Sequence, residues 1–251
     1  MDFVGLGKSN LLVSRVGFGA QSLNEIDTEE NAAILIHKAY DAGINFFDIS
    51  HSALESEKRL GACLSGIRQN VILATKTDAT TKKEILSELE ESLFALQTDY
   101  VDLFQYDFSN ETSISFEDLK ETFILLKERK KIRHFGFSTK STVIADMLLN
   151  KNFFECAQIP FNLLTDETTL AIMERCKKDD VGFIAMQPLY GGLIRDIPLA
   201  EGFLHQHETA VPLWGVRSLE ELNQILYFNE HPPVIDEKFE EEIKKVRLFF
   251  S

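Results

Sequence analysis

Cysteine, tryptophan and proline are scarce in this 251-residue chain, which contains three, one and six of them, and positive charge is outnumbered. The cysteines, Cys63, Cys156 and Cys176, are widely spaced and odd in number. That excludes a disulfide framework and a Cys-x-x-Cys metal knuckle. They read as buried, reduced thiols of a cytoplasmic protein. Lys plus Arg number 26 against 40 Asp plus Glu, a net charge of −14. Such a surface repels phosphate backbones and anionic lipid, so neither nucleic-acid nor membrane-surface binding is expected. No apolar run approaches the ~18 residues that span a bilayer. The opening MDFVGLGKSNLLVSR has no cationic start followed by an apolar core, so no signal peptide is expected. No Gly-, Ser- or Pro-rich linker divides the chain, and one domain over residues 1–251 is expected.

What is present is apolar and periodic. Apolar residues make up 44% of the chain, enough for a large core. Short β-branched or aromatic runs read as strands at Arg15–Gly19, Ile44–Asp48, Val71–Lys76, Val101–Tyr106, Ile132–Phe137, Cys156–Ile159, Gly182–Met186 and Val211–Gly215. Helical patterns separate them. Thr28–Ala42 carries Ala32, Ile36 and Tyr40 on one face, and Thr81–Gln97 carries Ile85, Leu89, Leu93 and Leu96. Phe116–Lys131, Ser141–Asn150, Asp166–Lys178, Ser218–Phe228 and Asp236–Phe249 read the same way. Eight strands alternating with helices predict a (β/α)8 TIM barrel. Phe3–Val13, with Gly5, Gly7 and Asn10, reads as an N-terminal β-hairpin that plugs the barrel floor. The stretch between the seventh and eighth strands is short and interrupted by Gly191, Gly192, Pro198 and Gly202, and no full helix is expected there.

Barrel sites lie at the C-terminal strand ends. Candidates there are Asp48, Ser50 and His51 after the second strand, Lys76 on the third and Asp107 after the fourth. Ser138 and Thr139 follow the fifth, Gln158 and Asn162 flank the sixth, Gln187, Leu189 and Tyr190 follow the seventh, and Arg217 and Ser218 the eighth. Lys76 is expected to be held by both Asp48 and Asp107. His205 and His207 form an His-x-His pair without an evident third ligand, so no metal is expected.

These segments resemble the aldo-keto reductase family. The opening LGKSNLLVSRVGFGA, GINFFDIS followed by SEKRLG, VILATKT, TDYVDLFQ, FGFSTKS, AQIPFNLL, QPLYGGL and GVRSLEEL are similar to its successive strand-end motifs, in order. The resemblance implies a carbonyl reductase using NADPH, in which a Tyr general acid is supported by Lys, Asp and His. The Asp falls on Asp48 and the Lys on Lys76. The Tyr position holds Ala53 and the His position Asp107. Ala53 has no proton to give to a developing alkoxide, and an ionised Asp107 would repel it. The tetrad therefore reads as incomplete, with His51 as the preferred substitute donor. On the cofactor side the resemblance assigns Ser138 and Gln158 to the nicotinamide amide, with Gln187 and Leu189 beside them. It assigns Arg217 and Ser218 to the ribose 2′-phosphate and Glu221 to the adenine side. An Arg fork suits phosphate, so NADP(H) is favoured over NAD. The short link before the eighth strand implies weakened cofactor binding.

The reading adopted is a divergent NADP(H)-dependent oxidoreductase acting on a small carbonyl substrate. Two alternatives stay open. One is a non-catalytic relative that binds a nucleotide or a protein partner. The other is a cofactor-independent lyase or isomerase using Lys76, Asp48, Asp107 and His51.

Overall fold

The computed structural model describes residues 1–109 and 114–250. The chain opens with a hairpin, β1 (Phe3–Gly5) antiparallel to β2 (Leu12–Ser14), with Phe3 opposite Ser14. Its turn needs backbone that L side chains rarely adopt: Gly7 has φ 49° and Asn10 φ 56°. A Cβ on Gly7 would meet Asp180 O and Gly182 N at 2.5 Å, so the turn lies hard against the start of a barrel strand. Leu6 and Val13 enter the lumen beside Phe46, Ala74, Leu103 and Ile184, and the hairpin closes the floor as the sequence suggested.

Eight parallel strands then close on themselves. They are β3 (Gly17–Gly19), β4 (Phe46–Asp48), β5 (Ile72–Thr77), β6 (Val101–Asp107), β7 (Ile132–Ser138), β8 (Cys156–Pro160), β9 (Gly182–Met186) and β10 (Ala210–Gly215). β10 returns to β3, with Leu213 opposite Gly17. The helices between them are α1 (Glu29–Asp41), α2 (Leu54–Cys63), α3 (Lys82–Ala95), α4 (Phe116–Glu128), α5 (Thr142–Leu149), α6 (Glu167–Lys178), α7 (Ile197–His205) and α8 (Leu219–Glu230), and α9 (Glu237–Phe250) ends the chain. Ser, Thr or Asp side chains cap the N-termini of α1 and of α3 through α8, each satisfying a backbone N–H of the first turn.

Strand alternation sorts the lumen into two layers. The lower is apolar: Phe46, Ala74, Leu103, Cys156, Ile184 and Val211 pack on the hairpin. Two residues further along the same strands, the positions become Asp48, Lys76, Gln105, Gln158, Met186 and Leu213. The outward positions, such as Phe47, Leu73, Phe104 and Phe183, pack under the helices in the larger core. One register choice thus puts apolar packing below and a polar layer at the mouth.

The β9–β10 link corrects the sequence reading. It holds both a short 3-10 turn at Tyr190–Gly192 and the helix α7. The residues read there as helix breakers have other uses. Pro198 sits in the first turn, where its missing N–H costs nothing, and Asp196 Oδ1 accepts from Leu199 N at 2.8 Å as the cap. Gly202 is a packing residue: a Cβ there would lie 2.6 Å from Phe239 and Pro233. Arg15 secures the other end, donating to Glu208 O at 2.8 Å and His205 O at 3.2 Å. His207 of the His-x-His pair lies against the rings of Phe161 and Phe203. All three cysteines are buried, and burial pushes the Cys156 and Cys176 thiols up to about 12. Among the described residues, no helix is long and apolar enough to cross a membrane.

Candidate functional site

At the mouth, the ammonium of Lys76 donates to Asp48 Oδ2 at 2.6 Å and to the backbone carbonyl of Ile49 at 2.9 Å. β4 and β5 are neighbours, with Asp48 opposite Ala74, so the two side chains rise from adjacent strands. Two amides complete the carboxylate's shell: Gln105 Nε2 reaches Asp48 Oδ1 and Gln158 Nε2 reaches Asp48 Oδ2, each at 3.2 Å. Gln105 also donates to Gln158 Oε1 at 2.8 Å. All four side chains are buried. Burial pushes the Asp48 carboxyl up, while Lys76 and the two amides favour its charged form.

These groups form the base of a cleft of about 1040 Å³ that opens along the C-terminal strand ends. Asp48, Lys76, Asp107, Ser138, Gln158, Gln187, Leu189, Arg217, Ser218 and Glu221 all line it, so the cleft gathers most of the candidates drawn from the sequence, though not His51, Thr139, Asn162 or Tyr190. Asp107 faces the cleft but does not hold Lys76. Its Oδ1 accepts from Ser109 N at 2.9 Å, and among the described residues it makes no ion pair with the ammonium. The expected two-carboxylate clamp is therefore an Asp48 clamp completed by Ile49 O and two glutamines.

His51 is not brought to the cleft wall. It sits in a 3-10 turn, His51–Ala53, and its Nδ1 pairs with Ser92 Oγ of α3 at 3.1 Å. Its Nε2 lies 3.9 Å from Glu91. From the same turn Ser50 and Ser52 do line the cleft, their hydroxyls 2.9 Å apart. Beneath the turn, Thr75 Oγ1 donates to the buried Glu57 at 2.7 Å, and burial pushes that carboxyl up. Among the described residues that line the cleft there is no tyrosine, histidine or cysteine. Tyr106 points outward as strand alternation requires, donating its hydroxyl to Ala79 O at 3.0 Å. Tyr190 rests its ring against Phe250.

The far wall is made by the ends of β7, β9 and β10. Ser138 Oγ lies 3.9 Å from Met186 Sδ, which places both at one edge. Gln187 adopts φ 57°, uncommon for a side-chain-bearing residue, and its carbonyl accepts from Asn162 Nδ2 at 2.9 Å. Ser218 caps α8, accepting from Glu221 N at 3.1 Å, and Glu221 Oε2 accepts from Arg217 N at 2.8 Å. The α8 N-terminus therefore faces the cleft with an exposed Arg beside it, a donor set suited to a phosphate monoester. That Arg is engaged: Arg217 Nε donates to Glu25 at 3.1 Å. Gln105 and Glu25 were missed in the sequence. Gln105 carried a signal, a polar residue at an inward strand position; Glu25 carried none.

The sequence model of the Aldo/keto reductase family matches residues 15–201. The chain is 29% identical over 217 residues to uncharacterized oxidoreductase YqkF of Bacillus subtilis (strain 168), covering 77% of this chain and 67% of that protein. It is 28% identical over 215 residues to aldo-keto reductase YhdN of the same organism, covering 78% and 63%. With L-galactose dehydrogenase of Arabidopsis thaliana it shares 29% identity over 217 residues, covering 78% and 68%. The chain thus spans about two thirds of the length of these relatives. Among solved structures, aldo-keto reductase AKR11C1 from Bacillus halodurans, in its holo form, superposes with a TM-score of 0.84 at 23% identity, covering 98% of this chain and 96% of that one. That likeness is one of fold.

Proposed function

This chain belongs to the aldo/keto reductase family, and we propose that it is an NADP(H)-dependent oxidoreductase acting on the carbonyl group of a small molecule. The observation that carries the reading is the buried Asp48–Lys76 pair at the base of a cleft whose far wall ends in Arg217 and the α8 N-terminus. The donor set fits the cofactor. Ser138 and Gln158 offer a hydroxyl and an amide for the nicotinamide amide, Met186 a polarisable face, and Arg217 with Ser218 the fork and helix end for a 2′-phosphate. The dinucleotide, when bound, supplies the hydride. The protein's own part is to hold the carbonyl near Lys76 and give its oxygen a proton.

Binding is proposed to be weak. The β9–β10 link is taken up by a 3-10 turn and α7, and Glu25 neutralises Arg217 until displaced. The three unpaired buried thiols support assignment to the cytoplasm. The partner is a small molecule rather than nucleic acid or membrane, in keeping with the net charge of −14.

The single tryptophan makes the test direct. Trp214 is buried on β10 between Leu213 and Gly215, both of which line the cleft. Titration with NADPH under tryptophan excitation is expected to quench Trp214 and raise nicotinamide emission saturably. No change up to millimolar NADPH would contradict the proposal.

A further inference from the structure

Reducing a carbonyl requires a proton at oxygen as well as a hydride at carbon. The described cleft wall has no phenol, imidazole or thiol to provide one. Guanidinium groups do not release a proton in proteins. The hydroxyls of Ser50 and Ser52 are bonded to each other, and these and the wall's other hydroxyls, of Ser22, Ser109, Ser138 and Ser218, are aliphatic and far weaker acids than an ammonium. Of the two lysines on the wall, Lys140 is exposed beyond β7, whereas Lys76 is buried at the base.

An ammonium has three N–H donors. Lys76 gives one to Asp48 Oδ2 and one to Ile49 O, and among the described residues no acceptor takes the third. The little surface Lys76 retains opens onto the cleft. Resting on the reductase reading above, we propose that Lys76 is itself the general acid. As the hydride, which NADPH would supply in being oxidised to NADP+, reaches and reduces the carbonyl carbon, the carbonyl π-pair moves to oxygen, an Nζ–H bond breaks and an O–H bond forms. The neutral amine then regains a proton from water in the open cleft. Asp48 and Ile49 O fix Nζ, and Gln105 and Gln158 fix Asp48; these are positioning residues.

The test compares Lys76→Arg with the unaltered protein. Arginine keeps the charge opposite Asp48 and cannot serve as an acid. With NADPH and a reactive aldehyde, Lys76→Arg is expected to bind NADPH normally while kcat falls ~100-fold or more. A second readout needs no turnover. In 15N-labelled, cofactor-free protein, the Lys76 ammonium resonance, assigned by its loss in Lys76→Arg, should show exchange of its protons with the water of the open cleft. If Lys76→Arg does not fold, Lys76→Met takes its place in both readouts, and if that fails too, Asp48→Leu combined with Lys76→Met, which removes both charges, does so. Turnover retained in the variant, or an ammonium resonance protected from exchange, overturns this role for Lys76 alone. NADPH bound by the unaltered protein without reduction of any aldehyde also overturns it. Failure of the unaltered protein to bind NADPH instead overturns the reductase reading on which it rests.

Discussion

Arg217 and Glu25 join across 192 positions of sequence, Nε to Oε2 at 3.1 Å, linking the loop after β10 to the loop after β3. A phosphate seated on Arg217 has to displace that carboxylate. Glu25→Gln should therefore tighten NADPH while leaving NADH unchanged. Both side chains are more than half exposed, and an exposed ion pair is worth at most about 1 kcal/mol, so the gain should be about fivefold or less. Dissociation constants from Trp214 energy transfer check it. Equal effects on both dinucleotides would mean that Arg217 does not meet the 2′-phosphate.

The Asp48–Lys76 pair makes a stability prediction independent of chemistry. Asp48→Asn leaves a buried ammonium without its counter-charge, which costs about 3–5 kcal/mol and lowers Tm by roughly 6–20 °C in a chain of this size. Asp48→Leu combined with Lys76→Met removes both charges and should recover much of that loss. Thermal unfolding followed by circular dichroism measures both. A double variant no better than Asp48→Asn would mean that the ion pair itself stabilises the barrel.

Glu201 on α7 supplies a pH prediction. It is 3% exposed, its Oε2 has no hydrogen-bond partner, and burial pushes its pKa up to about 7 against some relief from Arg15. An acid whose folded-state pKa stands above its ordinary value of 4.5 stabilises the fold as pH falls through about 7, and that contribution is lost as pH rises. Glu201→Gln should thus raise stability at pH ~8 by on the order of 2 kcal/mol and do much less at pH ~5. His205 and His207, whose pKa values burial lowers, act in the opposite sense, but identically in both proteins. Equal gains at the two pH values would contradict the assignment.

The strand and helix order was legible because buried parallel strands are short apolar runs and the helices carry one-faced apolar repeats. Asp48 and Lys76 could be paired from sequence because both sit at inward positions near the ends of neighbouring strands. The same rule places Gln105, two residues after Leu103, in that inward layer. His51 could not be oriented, because a 3-10 turn, not strand alternation, aims it at Ser92 of α3. The helix α7 was hidden because Pro198 and Gly202 signal a break by local propensity, while their positions, first turn and close packing on Phe239, are set by tertiary contacts. Glu25 lies far in sequence from the Arg217 it meets, and no spacing rule connects them.

The most direct test is stoichiometric: the protein is mixed with NADPH and a panel of small reactive aldehydes, following nicotinamide absorbance and alcohol formation together. A base layer of Asp48 and Lys76 serving hydride acceptance predicts one alcohol formed per NADPH consumed for at least one aldehyde, with loss of turnover in Lys76→Arg. Saturable NADPH binding with no aldehyde-dependent oxidation across the panel would contradict it.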